Sequence, residues 1–349
     1  MPVSVVVGGQ FGSEGKGKVA LEIVRRDSTV AAAVRVGGTN SGHTGVSANK
    51  KTFALRQLPA ASIDRSVQVI LPAGSYIDLQ ILQHELKLLS LGPDSVAISP
   101  MARVITDEHK RWEQASGLGP GIGSTQSGTG ASVIAMTARG ALSFPHSVQA
   151  EEEPSLHPFL TDTTSLMRRL LDTGRRVVIE GTQGFGLSLL QGGYWPKATS
   201  RDTSAAGFLA EAGLSPLDVD DVTMVIRCHP IRVAGDSGPL TGETTWERIA
   251  TESGSPVGVQ EFTTVTRKLR RVGNFDPELV RRAILVNQPN RIVLNHLDYV
   301  DASVRNNAAL TRKARQFVKE VETKIDRQID WLGTGPAAIL SCHDAFAKG

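Results

Sequence analysis

The chain of 349 residues carries 38 lysines and arginines against 35 aspartates and glutamates, which leaves a formal net charge of +3. This balance argues against a protein whose whole surface binds nucleic acid. The two cysteines provide neither a disulfide framework nor a four-cysteine zinc site, and they favour a reducing, cytoplasmic location. No apolar run reaches the roughly 18 residues of a membrane span, and no export signal is visible. Glycine is enriched: the 35 glycines exceed a usual share of about 7 %.

Apolar runs rich in β-branched residues predict buried strands, and helix-compatible segments lie between them. In chain order, the predicted strands cover residues 3–7, 31–36, 67–71, 177–179, 222–227, 292–294 and 338–340. The predicted helices cover residues 79–91, 163–173, 277–287 and 308–332. Strands that alternate with helices are typical of the α/β class, so we expect a mostly parallel central sheet flanked by helices.

The glycines are clustered, and several of the clusters directly follow predicted strands. They occupy residues 8–17, 37–42, 117–130 and 181–186. Ligands of parallel sheets bind at the carboxyl ends of the strands, so these clusters predict long glycine-rich active-site loops. We interpret residues 1–349 as one domain. The linker-like segment EEEP at 151–154 could equally open a helix or lie in a surface loop.

The first predicted strand runs into GGQFGSEGKGK, residues 8–18, and then into a helix-compatible segment. This order is P-loop-NTPase-like: small residues expose backbone N–H groups, the helix N-terminus favours anions, and Lys16 can reach phosphates. A Walker motif, however, has Ser or Thr after its lysine, where this chain has Gly17. An ordinary nucleotide hydrolase is therefore disfavoured, and a simple glycine-rich turn is the alternative interpretation.

Five further polar segments are candidates for ligand contacts. They are NSGHT at 40–44, GSTQSGTG at 123–130, EGTQG at 180–184, ATSRDT at 198–203 and TTVTRKLRR at 263–271. His43, among small polar residues, is suited to donate a proton or a hydrogen bond to a ligand. The cations at 267–271 could form a solvated face or bind nucleic acid, but the near-neutral total charge favours binding of carboxylates or phosphates.

Together these segments resemble successive motifs of the adenylosuccinate synthetase family. The matching segments are GSEGKGK, NSGHT, GSTQSGTG, EGTQG, ATSRDT, TVTRKLRRVG, LNHLDYVD and GTGP, along nearly the whole chain. The compact length is similar to the archaeal-type branch. The resemblance implies a cytoplasmic ligase that uses Mg²⁺. A nucleoside triphosphate phosphorylates the 6-oxygen of a purine nucleotide, and the amine of L-aspartate then displaces that phosphate.

The resemblance also implies roles for individual residues. The catalytic residues would be Ser13, Lys16, His43 and Gln183. The nucleoside monophosphate would contact Ser13, Asn40, Thr125, Arg139, Gln183 and Thr199, with Arg139 reaching across a homodimer. The triphosphate would contact Gly12, Gly15, Lys16, Gly17, Gly42, His43, Thr44, Arg270, Asn295, His296, Asp298 and Gly335. Aspartate would contact Thr264, Val265, Thr266, Lys268 and Arg270. The Mg²⁺ ligand would be the Gly42 carbonyl, with Ser13 as a second candidate. Neither nucleic acid nor a membrane is expected as a partner.

One departure from the family pattern concerns the base that removes the N1 proton. The family has an aspartate where this chain has Ser13, and a serine hydroxyl lacks the basicity and charge of a carboxylate. An inactive nucleotide-binding relative, altered chemistry or a different base could each account for this. With serine at this position, the sequence resembles a phage-encoded branch that joins dGMP to aspartate. A side chain shorter than aspartate leaves room for the 2-amino group of guanine. Ordinary synthesis from IMP and GTP is the alternative.

Two other positions also differ from the family. Lys268 stands where an arginine is usual, so planar bidentate contact is lost there. His296 replaces a lysine beside Asp298, the position that reads the base of the triphosphate in the family. ATP, dATP and GTP therefore all stay open as phosphoryl donors.

Overall fold

The computed structural model describes residues 2–64, 67–141, 143–263, 267–307 and 309–347. Across these residues, no helix has the length and apolar character that crossing a membrane requires.

The described residues form strands and helices that alternate over most of the chain. The strands are β1 Val3–Gly8, β2 Val30–Arg35, β3 His43–Val46, β4 Thr52–Leu55, β5 Gln68–Leu71, β6 Tyr76–Ile77, β7 Val96–Ile98, β8 Arg103–Val104, β9 Val148–Gln149, β10 Arg176–Glu180, β11 Val219–Arg227, β12 Ile231–Arg232, β13 Glu243–Thr244, β14 Arg271–Gly273, β15 Arg291–Asn295, β16 Trp331–Gly333 and β17 Ile339–Ser341. The α-helices are α1 Lys16–Arg26, α2 Leu79–Leu89, α3 Asp107–Ala115, α4 Leu118–Ile122, α5 Thr129–Ala138, α6 Thr163–Asp172, α7 Ala205–Ala212, α8 Trp246–Ser253, α9 Pro277–Asn287, α10 Arg312–Ile325 and α11 Cys342–Ala347. Short 3₁₀-helices span Ala60–Ser62, Ala150–Glu152, Pro154–Phe159, Phe185–Leu187, Pro216–Asp218, Leu297–Tyr299 and Ala302–Val304.

A nine-stranded sheet forms the centre of the molecule, in the order β17-β16-β15-β11-β1-β10-β2-β5-β7. Its strands pair in parallel except for β17, which is antiparallel to β16. The three central strands β11, β1 and β10 are neighbours, although long stretches of chain separate them in sequence. The predicted mostly parallel sheet flanked by helices is therefore confirmed. Smaller sheets are formed by β12-β14-β13, by β3-β4 and by β6-β8-β9.

Both faces of the central sheet are covered, because successive side chains of a strand point to opposite sides. On one face Val3, Val5 and Val7 pack in a cluster with apolar residues of α6, α7, α9 and α10. On the other face Val6 packs with α1 through residues such as Val19. A continuous apolar strand such as VSVVV therefore predicts a fully buried strand correctly.

The predicted helix over residues 308–332 was too long. The helix begins at Arg312, after the Thr311 side chain caps its N-terminus, and it ends at Ile325. Asp326 then adopts a left-handed conformation, and residues 331–333 form β16 in the central sheet. Trp331 and Leu332 read as a continuation of the apolar pattern, but they are strand residues. Pairing with β15 takes precedence over local helix propensity there.

A buried leucine of this core gives a direct test of the packing. Leu171 on α6 is 2 % exposed within the main cluster, whereas Leu217 is 90 % exposed. We expect Leu171→Ala to lower the free energy of unfolding by about 2–5 kcal/mol, because it leaves a cavity. Leu217→Ala, the matched control, should change it by less than about 0.5 kcal/mol. Urea unfolding followed by circular dichroism measures both, and equal losses would contradict this assignment of the core.

Candidate functional site

The candidate site lies where the central parallel strands end. The last residue of four of these strands is polar and almost fully buried: Arg35 on β2, Glu180 on β10, Arg227 on β11 and Asn295 on β15. Burying a charge is costly unless it is paired, so the three charged residues must find partners at this edge. The loop that follows β1, residues 9–15, lies at the same edge of the sheet and contacts two of these residues, Arg227 and Asn295.

Two side chains on one side fix the backbone of this first loop. Arg227 donates from Nη1 to the carbonyl of Ser13 at 2.9 Å, and Asn295 donates from Nδ2 to the carbonyl of Glu14 at 2.6 Å. Ser13 has φ of 57°, a left-handed conformation that is uncommon for serine. The loop is therefore held by its neighbours in a defined shape.

The helix that follows the first loop is open at its N-terminus. Gly15 precedes α1 in a left-handed conformation, and no side chain caps the first turn. In contrast, Asp78 caps α2 and Asp276 caps α9 with side-chain hydrogen bonds. An uncapped first turn leaves backbone N–H groups for an anionic ligand, as expected of a phosphate-binding loop.

Lys16 is buried and is bound within the protein. Its Nζ lies 2.7 Å from Glu14 Oε2 and also donates to the carbonyl of Gln183. The other oxygen of Glu14 accepts from the backbone N–H groups of Gln10 at 3.2 Å and Gly12 at 2.7 Å. A phosphate that binds Lys16 must therefore replace or share these contacts.

His43 lies at the start of β3, against the carboxylate that ends β10. Its Nδ1 is 2.5 Å from Glu180 Oε1, and Arg35 contacts both residues, with Nη1 at 3.0 Å from the carboxylate. Burial, together with the positive charge of Arg35, lowers the pKa of His43 to about 3, although Glu180 opposes the shift. The imidazole is thus neutral near pH 7, and it is buried although its neighbours in sequence are small and polar.

The 123–130 segment leads into α5, but a glutamate already occupies that helix N-terminus. Glu113 on α3 accepts from the backbone N–H groups of Gly128 at 2.9 Å and Ala131 at 3.0 Å. These two donors are used inside the protein. Thr125 is half-buried and hydrogen-bonds Ser127, so its hydroxyl is the more accessible candidate for a nucleotide contact.

The 261–270 loop is described at its base, in residues 261–263 and 267–270. Phe262 and Leu269 pair in antiparallel fashion, and the amide of Arg270 donates to the carbonyl of Glu261 at 2.8 Å. Lys268 is exposed, and Arg270 is half-buried beside Glu261. Thr264, Val265 and Thr266, which the sequence assigns to aspartate binding, lie outside the described residues.

The residues assigned to the base of the triphosphate lie together at the ends of β15 and β16. Asn295 ends β15, His296 follows it with φ of 66°, and Asp298 lies in the next 3₁₀-turn. Gly335 follows β16, and its carbonyl accepts from Lys18 Nζ at 2.9 Å. Burial lowers the pKa of Lys18 to about 8, while the charge of Asp298 opposes that shift.

Buried polar atoms without a hydrogen-bond partner mark several of these residues. Among the described side chains, such atoms include Oδ1 of Asn40, Oε1 of Gln183, Oδ1 of Asn295, Nε2 of His296 and Oδ1 of Asp298. Native proteins satisfy almost all buried polar groups, so unpaired atoms that cluster at strand ends are typical of sites that bind a ligand. All five were selected from the sequence for contacts with nucleotides.

Other predicted site residues are more exposed. Thr44 is exposed on β3, and Gly42 and Thr199 are half-buried. Arg139 is exposed and ends α5 in a left-handed conformation. The amide of Gly12 donates to Glu14, and Gly15 and Gly17 lie close to the side chains of Asn295 and His43.

Sequence reasoning missed several residues that hold the site together. They are Glu14, Lys18, Arg35, Glu180, Arg227 and Glu261. The signal was present for three of them, because a charged residue that ends a continuous apolar run is unusual. Arg35, Glu180 and Arg227 each follow such a run. Glu14 and Lys18 lie within the GSEGKGK segment, but its pattern gives them no separate role.

Comparison with known proteins gives the family. A model described as adenylosuccinate synthetase matches residues 5–153 and 143–303. The chain belongs to this family. Adenylosuccinate synthetase of Pyrococcus sp. (strain ST700) is 36 % identical to it over 342 residues, which cover 96 % of each chain. The chain is thus a ligase of the type that forms a C–N bond.

Two solved structures share the fold. Fully ligated adenylosuccinate synthetase from Plasmodium falciparum superposes with a TM-score of 0.81 over 97 % of this chain and 99 % of that chain, at 20 % identity. Succinoaminodeoxyadenylate synthetase (PurZ) of cyanophage S-2L, bound to dGMP and to dATP as an energy donor, has a TM-score of 0.80 at 27 % identity. The superposition covers 96 % of this chain and 93 % of the cyanophage protein. The fold is thus shared with a synthetase that binds dGMP.

The depressed pKa of His43 predicts a pH dependence of stability. An unfolded histidine titrates near pH 6.5, so between about pH 6.5 and 3 the unfolded chain binds a proton that the folded protein does not. The free energy of unfolding therefore falls as the pH is lowered through this range. We expect His43→Asn to reduce that slope by up to about 1.4 kcal/mol per pH unit, the contribution of one proton.

Urea unfolding at a series of pH values in this range measures the slope. His84→Asn is the control, because it replaces an exposed histidine on α2. A slope in His43→Asn equal to that of the parent protein would show that His43 is not held neutral.

Proposed function

We propose that this ligase joins L-aspartate to C6 of dGMP, with hydrolysis of a nucleoside triphosphate, and gives N6-succino-2-amino-2'-deoxyadenylate, a precursor of 2-aminoadenine DNA. The observation that carries the proposal is Ser13 in the first loop. Family membership fixes the class of reaction but leaves the monophosphate open. The choice between guanine and hypoxanthine depends on what the first loop presents to the edge of the base.

Ser13 favours guanine for two reasons. Guanine carries a 2-amino group next to N1, where hypoxanthine has only hydrogen, and a serine side chain is shorter than an aspartate. The serine hydroxyl can also accept a hydrogen bond from that amino group. The backbone of Ser13 is held by Arg227, so we assign the preference for guanine to the side chain of Ser13.

Other residues supply the remaining chemistry. Lys16 and the open first turn of α1 bind the phosphates of the triphosphate, and Gln183 orients the purine through its unpaired Oε1. His43 contacts the phosphoryl group through Nε2, while Glu180 and Arg35 hold Nδ1. A phosphoryl group next to this neutral ring adds negative charge, which raises the pKa of His43 and lets it act as an acid.

The reaction is balanced in two steps. The 6-oxygen of the base attacks the γ-phosphorus, the nucleoside diphosphate leaves, and the N1 proton is lost. The aspartate amine then adds to C6, the 6-phosphate departs as inorganic phosphate, and the nitrogen loses a proton. Lys268, Arg270 and the 264–266 residues bind the carboxylates of aspartate. Asn40, Thr125 and Thr199 hold the monophosphate, and Arg139 reaches the phosphate of a second subunit in a homodimer.

Adenylosuccinate synthetases use Mg²⁺ and a nucleoside triphosphate, and the residues here fit an ion that arrives with the phosphates. Among the described residues, no group of three or more histidines, cysteines or carboxylates is arranged to hold a metal. Mg²⁺ typically keeps several waters and takes phosphate oxygens as ligands. The Gly42 carbonyl, with the Ser13 hydroxyl as a weaker candidate, would complete its shell, and the ion would neutralise charge on the transferring phosphoryl group.

We propose that the nucleoside triphosphate that donates the phosphoryl group carries adenine, as ATP or dATP. GTP is the alternative. Support comes from His296, which is uncharged because burial and the charge of Arg227 hold its pKa well below the usual range. A lysine at this position would place a positive charge near the O6 of guanine and so favour GTP. A neutral imidazole lacks that charge. Asp298 and Asn295 keep unpaired oxygens that accept from an amino group of either base.

The direct test is a comparison of substrates. Purified protein with Mg²⁺, aspartate and ATP is incubated separately with dGMP, GMP and IMP, and the succinylated product is measured by mass spectrometry. We expect turnover with dGMP to exceed that with IMP, and the same assay with dATP and GTP ranks the donors. Turnover of IMP alone would favour ordinary adenylosuccinate synthesis. No turnover with any monophosphate would favour a nucleotide-binding relative without activity.

A substitution at the deciding position sharpens the test. We expect Ser13→Asp to lower kcat/KM for dGMP about tenfold or more relative to that for IMP, because the longer carboxylate crowds the 2-amino group. Ser90→Asp is the matched control, since Ser90 has a φ of 55° like Ser13 but is exposed at the end of α2. Equal losses with both nucleotides in Ser13→Asp would contradict the steric argument.

A further inference from the structure

A buried charged cluster lies beneath the first loop, and the reaction steps above do not use it. Arg227, at the end of β11, is fully buried and makes an ion pair with Glu261, with Nη2 at 2.5 Å from Oε1 and Nη1 at 3.3 Å from Oε2. The same Nη1 donates to the carbonyl of Ser13 at 2.9 Å. One guanidinium thus contacts two loops that are about 250 residues apart in sequence.

The backbone of Arg227 is fixed as firmly as its side chain. The side chain of Gln10 accepts from the amide of Arg227 at 2.9 Å and donates to its carbonyl at 3.1 Å. Gln10 and Ser13 belong to the same loop, so that loop holds Arg227 at both ends. Only the planar guanidinium of arginine can donate hydrogen bonds to the Ser13 carbonyl and to both oxygens of Glu261 at once. The ammonium group of a lysine cannot offer two parallel N–H bonds in one plane.

Glu261 anchors the base of the 261–270 loop. Its carbonyl accepts from Arg270 at 2.8 Å, and the indole of Trp246 in turn donates to the carbonyl of Arg270 at 2.8 Å. Although burial opposes ionisation, the positive charge of Arg227 and, less strongly, that of Arg270 lower the pKa of Glu261 to about 2. The pair is therefore charged at neutral pH, and removing either partner leaves the other charge poorly satisfied.

We propose that Arg227 is a positioning residue that holds Ser13 in its left-handed conformation and ties the first loop to the base of the 261–270 loop. The two loops thereby act as one unit. The inference rests on the proposed function for its kinetic consequence, because those loops are assigned there to the nucleotide and to aspartate. Its structural content stands on the contacts alone. A shift of one loop changes the position of the other through the shared guanidinium.

Two substitutions separate the two contacts. Arg227→Lys keeps the positive charge but cannot bridge Ser13 and Glu261. Glu261→Gln keeps an acceptor and removes the charge, so it weakens the anchor of the 261–270 loop and leaves the bond to Ser13. Arg168→Lys is the matched control, because Arg168 makes a similar fork with Asp218 at 2.9 and 2.6 Å. Asp218 precedes β11 and Arg227 ends it, so the two pairs lie roughly 30 Å apart.

Hydrogen–deuterium exchange of the ligand-free proteins is the first measurement. Arg227→Lys should speed exchange in peptides that cover residues 10–15 and in those that cover 261–270, with the central strands unchanged. Glu261→Gln should affect the 261–270 peptide alone, and Arg168→Lys neither. Unchanged exchange at 10–15 in Arg227→Lys would overturn the proposal, as would faster exchange spread evenly over the sheet.

Kinetics give the second measurement. Arg227→Lys should raise KM for the monophosphate and for aspartate about tenfold or more, as expected when a charged hydrogen bond is lost. Glu261→Gln should raise KM for aspartate only. A change confined to kcat in both variants would contradict positioning. Because exchange needs no substrate, failure of the dGMP assay bears on the proposed function alone, and failure of the exchange test bears on Arg227.

Discussion

The site depends on one constraint: buried charges at the ends of parallel strands must be paired. Parallel strands of the central sheet end at one edge, and four of them end in Arg35, Glu180, Arg227 and Asn295. An unpaired charge at this depth would be strongly destabilising, so the three charged residues bind one another or the adjacent loops, and the neutral amide of Asn295 donates to the first loop. Arg35 and Glu180 hold His43, and Arg227 and Asn295 hold the first loop. The same pairs that stabilise the fold thus position His43 and the first loop.

This constraint also explains why glycines are needed in the first loop. Their enrichment predicts loops that approach a ligand, but the first of them serve internal contacts. A Cβ at Gly8 would lie 2.6 Å from Glu14 Oε2 and 2.8 Å from the carbonyl of Gln183. Gly8 therefore makes room for the glutamate that binds Lys16. In the ligand-free protein the lysine already has partners, so binding of a phosphate exchanges one set of charged contacts for another and gains less than a bare lysine would offer.

The sequence predicts the parallel sheet and the first loop, because these depend on local patterns, and the family resemblance adds five of the residues with unpaired atoms. A continuous apolar strand followed by glycines and a lysine is visible in any short window. The partners Glu14, Glu180 and Glu261 are different, since their roles depend on contacts across the sheet order β15-β11-β1-β10-β2. No local pattern predicts that residues 13, 227 and 261 meet. The misplaced helix at 326–332 has the same origin, because pairing with β15 decides the structure of that segment.

The environment of Ser13 bears on how a change of one side chain can alter the substrate. A left-handed conformation costs a serine about 1 kcal/mol or more, and aspartate or asparagine tolerates it better. The backbone preference of serine therefore does not stabilise the conformation of residue 13. Arg227 on the carbonyl of Ser13 and Asn295 on the next carbonyl impose the conformation from outside. Because the backbone is set by these neighbours, the side chain at position 13 can differ in length and charge while the loop keeps its shape. The proposed selection between purines by this one residue depends on such a rigid backbone.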